Sequence, residues 1–179
     1  MSLAVLTGRP GIGKTTTVLR TVDLLRMKGL RVGGFVTVEV RRDGRRVGFE
    51  IVDVLDGVRR VMASEELKTY LRVGRYGLDL GFEETGIEAL SKSMNGCEVT
   101  VVDEIGPMEL KSSRLVEALY NLLEGPYPTL ATVHHTARHP LIRMAVRKAG
   151  SNRYILDESN REKMPKILAE LLETWAHRR

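Results

Sequence analysis

The sequence predicts an α/β fold of three layers, a mostly parallel β-sheet between two layers of helix, with one antiparallel hairpin inserted. Three observations predict it. Short apolar runs of strand length alternate along the 179 residues with longer segments of helical period. The first apolar run passes into a glycine-rich turn, Gly8-Arg9-Pro10-Gly11-Ile12-Gly13-Lys14-Thr15, that opens directly onto a helical segment. The densest basic cluster, RRDGRR at Arg41–Arg46, surrounds Asp43-Gly44, a dipeptide that favours a two-residue hairpin turn.

Taken in order, Leu3–Leu6 is apolar throughout, as for a strand covered on both faces. Without a charged lead or a cleavage site it reads as a strand, not a signal peptide. Val18, Val22 and Leu25 recur at i, i+4 and i+7 and predict a helix that stops near Gly29. Val32–Val40 and Val47–Leu55 form the hairpin, and Arg59–Ala63 adds a third strand after Asp56-Gly57. Arg72–Gly86 carries four glycines and no period, so a mobile loop or a segment closing over ligand is expected there. Helical character runs over Phe82–Met94 and ends at Gly96. Glu98–Val102 predicts a buried strand, and Ser112–Leu123 a helix with Leu115, Leu119 and Leu122 on one face. A strand at Thr129–Val133, a helix at Leu141–Ala149 entered through His139-Pro140, and a strand at Arg153–Leu156 follow. The last helix, Arg161–Ala176, has the stripe Ile167, Leu168, Leu171, Leu172 and Trp175, with Ser159 and Glu162 as an S-x-x-E capping box. No repeat or linker divides the chain, so residues 1–179 are expected to form one domain.

Composition narrows the function classes. Hydrophobic residues make up 42%, which argues against disorder, and no apolar run is long enough to span a membrane. Cys97 is the only cysteine, so no internal disulfide forms and a reducing, cytoplasmic setting is expected. The net charge of +5 suits anionic ligands such as nucleotides; nucleic acid is admitted but not required. Nothing in the pattern specifies an oligomeric state.

The glycine-rich turn matches G-x-x-x-x-G-K-[ST] at every fixed position. Glycines let backbone N–H groups converge on phosphate oxygens, and the following helix adds its free N–H groups and positive dipole end. Nucleotide-binding candidates are therefore Gly8, Arg9, Pro10, Gly11, Ile12, Gly13, Lys14, Thr15 and Thr16. Lys14 supplies a cation for the outer phosphates, and the Thr15 hydroxyl can ligate Mg²⁺. The run Val99-Thr100-Val101-Val102-Asp103-Glu104 delivers an acidic pair to the carboxyl edge of the sheet. Asp103 is placed to serve Mg²⁺, and Glu104 to polarise a water for attack on the γ-phosphate. Asp103-Glu104-Ile105-Gly106 also fits the D-x-x-G pattern of small GTPases, but no N-K-x-D element that would read guanine occurs.

Further candidates surround this centre. If Thr129–Val133 is the strand between the two motif strands, Thr132 or His134 can direct a polar group at the γ-phosphate or the water. Adjacent histidines on a strand face opposite sides, which argues against a metal site at His134-His135. Arg138, Arg143 and Arg75 are arginine-finger or sensor candidates for the transition-state charge. Asn160 and Arg161, after the last strand, are candidates for contact with the base.

Together GRPGIGKTT, VTVEVRRDGRRVGFEIVDV, VGRYGLDL, VVDEIGPMEL and ESNRE, in this order, resemble the thermophile-type nucleoside-triphosphatase family, whose eukaryotic member is called cancer-related nucleoside triphosphatase. The resemblance runs from about Leu3 to the C-terminal helix. It implies a phosphate-loop fold related to the RecA-like group and Mg²⁺-dependent hydrolysis of several nucleoside triphosphates to diphosphate and phosphate. It also implies that Gly8–Thr15 binds phosphates, that Val99, Thr100, Val101, Val102, Asp103, Glu104, Ile105 and Gly106 form the second nucleotide-binding segment, and that Glu104 is the catalytic glutamate. Two other classes stand beside it. One is a small-acceptor kinase, in which Glu104 deprotonates an acceptor hydroxyl. The other is a nucleotide-gated protein that reads RNA or a partner through Arg41–Arg46.

Overall fold

The structure, a computed structural model, describes residues 2–178. Its centre is a nine-stranded sheet in the order β5 (Arg72–Val73), β6 (Tyr76–Leu78), β4 (Arg59–Ser64), β3 (Arg45–Asp53), β2 (Val32–Arg42), β7 (Val99–Ile105), β8 (Thr129–Val133), β1 (Leu3–Thr7), β9 (Arg153–Ile155). Five strands make the parallel half: β1 (Leu3–Thr7), β2 (Val32–Arg42), β7 (Val99–Ile105), β8 (Thr129–Val133) and β9 (Arg153–Ile155). β8 lies between β7 and β1 and pairs with both in parallel. The βα alternation forces this arrangement, because each parallel neighbour needs a crossover and each crossover here contains a helix.

Period-two alternation along the strands separates two cores. Leu3 and Val5 point to one face with Val102 and Ala131; Ala4 and Leu6 point to the other with Val101 and Leu130. The first face is covered by α2 (Phe82–Gly96), α3 (Ser113–Glu124) and α4 (Pro140–Ala149), through Phe82, Leu90, Leu115, Leu119, Leu141 and Ala145. The second is covered by α1 (Lys14–Met27) and α5 (Met164–Ala176), through Val18, Val22, Leu25, Leu168 and Leu172. The stripe expected on the last helix is thus partly right: Leu168 and Leu172 are buried, whereas Ile167 is exposed. Among the described residues no helix is long and apolar enough to cross a membrane.

The antiparallel half is the hairpin insert, β2 with β3 (Arg45–Asp53), extended by β4 (Arg59–Ser64). Its basic tip is charge-balanced. Arg41 and Arg46 pair with Glu39, Arg42 with Glu66, and Arg45 with Glu65.

Two expectations are corrected. The segment Arg72–Gly86 is no open loop. Arg72–Val73 and Tyr76–Leu78 are β5 and β6, paired antiparallel to each other, with β6 continuing the sheet beside β4. Tyr76, Leu78 and Phe82 are buried, and the Tyr76 hydroxyl accepts hydrogen bonds from Arg46 and Arg75, so tertiary burial supplies what local periodicity lacks. The capping box is also absent. The last helix begins at Met164 with Lys163 as its cap and no side-chain cap bond. Ser159 instead donates its hydroxyl to Asp157 Oδ1 at 2.6 Å, and Glu162 pairs with Arg20 of α1. Asp157, which also accepts from the Ser159 and Asn160 backbone N–H groups, outcompetes the helix for these residues.

Candidate active site

Parallel pairing of β7, β8, β1 and β9 brings four chain segments to one edge of the sheet, the carboxyl edge where ligands sit in such folds. β1 gives way to the glycine-rich loop and β7 carries Asp103 and Glu104. His134 follows β8, and Asp157 lies two residues beyond β9. The sequence motifs thus converge because of strand direction alone.

In the loop, Gly13 has a φ of 109°, a conformation that side chains rarely adopt, and caps α1. The free N–H groups of α1 therefore open onto the loop. Lys14 is nearly enclosed, its side chain 11% exposed; its Nζ donates to Gly8 O at 3.1 Å and lies 3.8 Å from Glu104 Oε1. That separation is an ion pair, too long for a hydrogen bond. Glu104 Oε1 is buried and has no hydrogen-bond partner. Burial pushes the Glu104 carboxyl above its usual range, while the charges of Lys14 and His135 pull the other way.

Asp103 is fully buried at the end of β7. Its Oδ1 accepts from the Thr132 hydroxyl at 2.6 Å, and its Oδ2 has no hydrogen-bond partner. Burial raises its pKa to about 6, against the opposing effects of Thr132 and Thr15. An unpartnered carboxylate oxygen beside a threonine hydroxyl is a donor set that suits a hard divalent cation.

Thr132 therefore serves Asp103 rather than a ligand directly. β8 ends at Val133, so His134 and His135 leave the strand, and their rings sit side by side with centroids 5.4 Å apart instead of facing opposite ways. Burial lowers the His134 pKa, with help from the charges of His135 and Lys14. His139 caps α4 as expected, its Nδ1 accepting from Leu141 N.

The arginine candidates divide. Arg138 and Arg143 are exposed, on the loop after β8 and on α4. Arg75 lies on the β5–β6 turn, separated from β1 by the five strands β4, β3, β2, β7 and β8, and binds Glu65 and Tyr76 there. It is not brought to this edge. The base candidates also separate. Asn160 spends its side chain inside its own loop, accepting from Asp157 N and donating to Ile155 O. Arg161 is exposed and pairs with Glu162 at 4.0 Å. The cleft beside the glycine-rich loop, about 520 Å³, is lined instead by Arg9, Ile12, Ile155, Leu156, Asp157, Glu158 and Ser159. Arg9 and Glu158 form an ion pair that joins the phosphate loop to the β9–α5 loop.

One residue of this region escaped sequence reasoning. Glu109, in a single 3₁₀ turn at Glu109–Lys111, is 3% exposed. Its only sequence signal is an acid set within the apolar run Met108–Leu110. Burial, reinforced by the charge of Glu104, drives its carboxyl up to about 8. The folded protein therefore binds this proton more tightly than the unfolded chain, and the stability tied to it is lost as pH rises from about 4.5 through about 8. Glu109→Gln removes that loss, and Asp103 and Glu104 titrate in both proteins. The gap in Tm between Glu109→Gln and the parent should widen from pH 5 to pH 9, by about 2–4 °C for each kcal/mol recovered. A gap independent of pH in thermal melts would contradict the buried neutral acid.

Comparisons with known proteins agree with this architecture. A model of the NTPase family matches residues 4–169. The nucleoside-triphosphatase THEP1 of Methanopyrus kandleri is 38% identical over 176 residues, covering 98% of this chain and 97% of its own. That of Archaeoglobus fulgidus is 40% identical over 174 residues, covering 97% and 99%. Among solved structures, THEP1 from the hyperthermophile Aquifex aeolicus superposes with a TM-score of 0.83 at 32% identity over 96% of this chain and 99% of that one. A human cancer-related nucleoside triphosphatase gives 0.76 at 30% identity over the whole of both chains. A phosphate loop facing an acidic pair across one intervening strand, in a chain with these relatives, has one reading: the protein belongs to the NTPase family and is a nucleoside-triphosphatase, a hydrolase of phosphoanhydride bonds.

Proposed function

We propose that the enzyme hydrolyses nucleoside triphosphates to diphosphate and phosphate with Mg²⁺ and with little regard for the base, and that Glu104 is the general base. The observation that carries this reading is the pairing of roles at the end of β7. Asp103 is held by Thr132, whereas Glu104 is the free carboxylate, 3.8 Å from Lys14. Thr15 and Asp103 would hold the Mg²⁺, which when bound neutralises charge on the phosphate oxygens.

The chemistry assigned to the chain's own residues is short. The loop N–H groups and Lys14 bind and orient the phosphates. Glu104 takes a proton from a water as its oxygen attacks the γ-phosphorus, the bond from that phosphorus to the bridging oxygen breaks, and the diphosphate leaves with that electron pair. A carboxyl raised by burial gains proton affinity suited to this task, and the Lys14 charge opposes that rise. Phosphate contacts use the loop backbone, so they are the same for every base.

Support for base tolerance lies in the cleft next to the loop. Ile12 and Ile155 offer apolar surface and Arg9 a planar cation, surfaces on which any base can stack. The role first given to Asn160 and Arg161 passes to these residues. The lone buried Cys97 is in keeping with a reducing cytoplasm.

Phosphate release from ATP, GTP, CTP and UTP should agree within about tenfold, since a weak base contact discriminates by only ~1.4 kcal/mol. It should vanish without Mg²⁺ and need no acceptor. Malachite-green assays with and without the metal measure all three. A thousandfold preference for one base, or release dependent on an added acceptor, would overturn the reading.

A further inference from the structure

Glu109 has no role in the chemistry above, yet it is built into the site with care. Its Oε2 accepts from the Gly106 backbone N–H at 3.1 Å, and its Oε1 shares a hydrogen bond with the Thr37 hydroxyl at 3.1 Å, to which the neutral acid can give its proton. Thr37 lies on β2, one residue past Val36, which is the register partner of Asp103. Thr37 is therefore level with Glu104 on the neighbouring strand. The chain of contacts runs from β2 through the Glu109 carboxyl to the peptide of Gly106, two residues beyond Glu104.

The space between these groups is small. A Cβ added to Gly106 would lie 3.2 Å from Glu109 Oε2 and 3.6 Å from the Glu104 carboxyl carbon. Glycine at this position leaves room for the two carboxyl groups beside one backbone residue. Glu104 Oε1 itself has no hydrogen bond to fix it, and Lys14 reaches it only as an ion pair. The carboxylate proposed as base is thus oriented by the backbone that carries it, and Glu109 pins that backbone just downstream.

We infer that Glu109, with Thr37, is the positioning residue of this site: it anchors the Gly106 peptide to β2 and so holds Glu104 in line with the phosphate loop. The inference rests on the reading of Glu104 as general base. Both Glu109 oxygens are engaged by the protein itself, so it acts through Glu104. Its loss should therefore lower kcat and leave KM nearly unchanged, because the loop that binds phosphate is elsewhere.

The experiment is a double-mutant cycle in steady-state phosphate release. Glu109→Ala should lower kcat by about tenfold to a hundredfold, the scale of a small misplacement of a reacting group, with KM within about threefold. Glu109→Gln should recover most of it. Its amide oxygen can accept from Gly106, and its NH₂ can donate to the Thr37 hydroxyl. In a Glu104→Gln background, Glu109→Ala should cost almost nothing further, since residues that act as a unit are not additive. Thr37→Val, which keeps the shape and removes the hydroxyl, should lower kcat about 3- to 10-fold and show the same non-additivity; it carries the test if Glu109→Ala fails to fold. An equal loss from Thr37→Val or Glu109→Ala with and without Glu104 would overturn the inference. So would a change in Tm alone with kcat intact. Full turnover by Glu104→Gln itself would instead overturn the base assignment, and that failure is visible before Glu109 is altered.

Discussion

Replacing Glu104 by glutamine should leave nucleotide and Mg²⁺ binding intact and slow hydrolysis by ~10²–10⁴-fold, the usual worth of a positioned general base. Glutamine preserves the size of the side chain and a hydrogen-bonding oxygen but accepts no proton at neutral pH. The side chain is part-buried, 26% exposed, and its Oε1 makes no hydrogen bond, so the exchange leaves no donor stranded. Asp103→Asn should behave differently, because Asp103 is buried and tied to Thr132: turnover and metal dependence should fall together. Calorimetric binding and single-turnover hydrolysis, run on the same Glu104→Gln sample, decide the matter. Near-normal hydrolysis would pass the base to another group, with His134 a titratable candidate of lowered pKa. Loss of binding together with hydrolysis would make the carboxylate a holder of metal or structure.

Lys14→Ala is expected to abolish tight triphosphate binding. The ammonium sits at the start of α1, folded back onto Gly8 O, and is the one cation of the loop enclosed by protein rather than solvent. A charge-assisted contact is worth about 1.5–3 kcal/mol, so affinity should weaken by about 10- to 150-fold. A second effect compounds the first. The Lys14 charge holds down the pKa of Glu104, and without it burial drives that carboxyl further toward its protonated form. Hydrolysis should then fall by more than binding alone explains. Titration with a non-hydrolysable triphosphate analogue checks the binding loss; unchanged affinity would refute the phosphate-loop assignment.

The parts of the molecule legible in the sequence are those where local chemistry and tertiary demand coincide. Thr129–Val133 is a run of β-branched and apolar residues bounded by Pro128 and the polar His134, and the strand has those limits. The loop from Gly8 to Thr15 needs glycine for its backbone and lysine for its charge, so its residue types announce it. Where distant contacts decide, the sequence is silent or misleading. Tyr76–Leu78 is a strand only because Ala63 and Ser64 of β4 lie alongside and because arginines from two segments converge on the Tyr76 hydroxyl. Ser159 and Glu162 have the spacing of a helix cap, but Asp157 offers the same backbone a closer acceptor. Glu109 reads as a surface acid. Its partner Thr37 is 72 residues away, and no local pattern relates the two.

The position of β1 has a consequence for how the chain is made. Leu3–Thr7 leaves the ribosome well before both of its neighbours, Thr129–Val133 and Arg153–Ile155. Synthesis at about 5–20 residues per second leaves β1 without either hydrogen-bonding partner for on the order of ten seconds. Through that interval an apolar strand with two open edges is the nascent chain's main hazard for misassociation. The phosphate loop hangs from this strand, and its geometry cannot be set before β8 and β9 arrive. A nascent chain that stops short of β8 lacks both partners of the strand from which the loop hangs, so its nucleotide binding should report that β8 and β9 are in place.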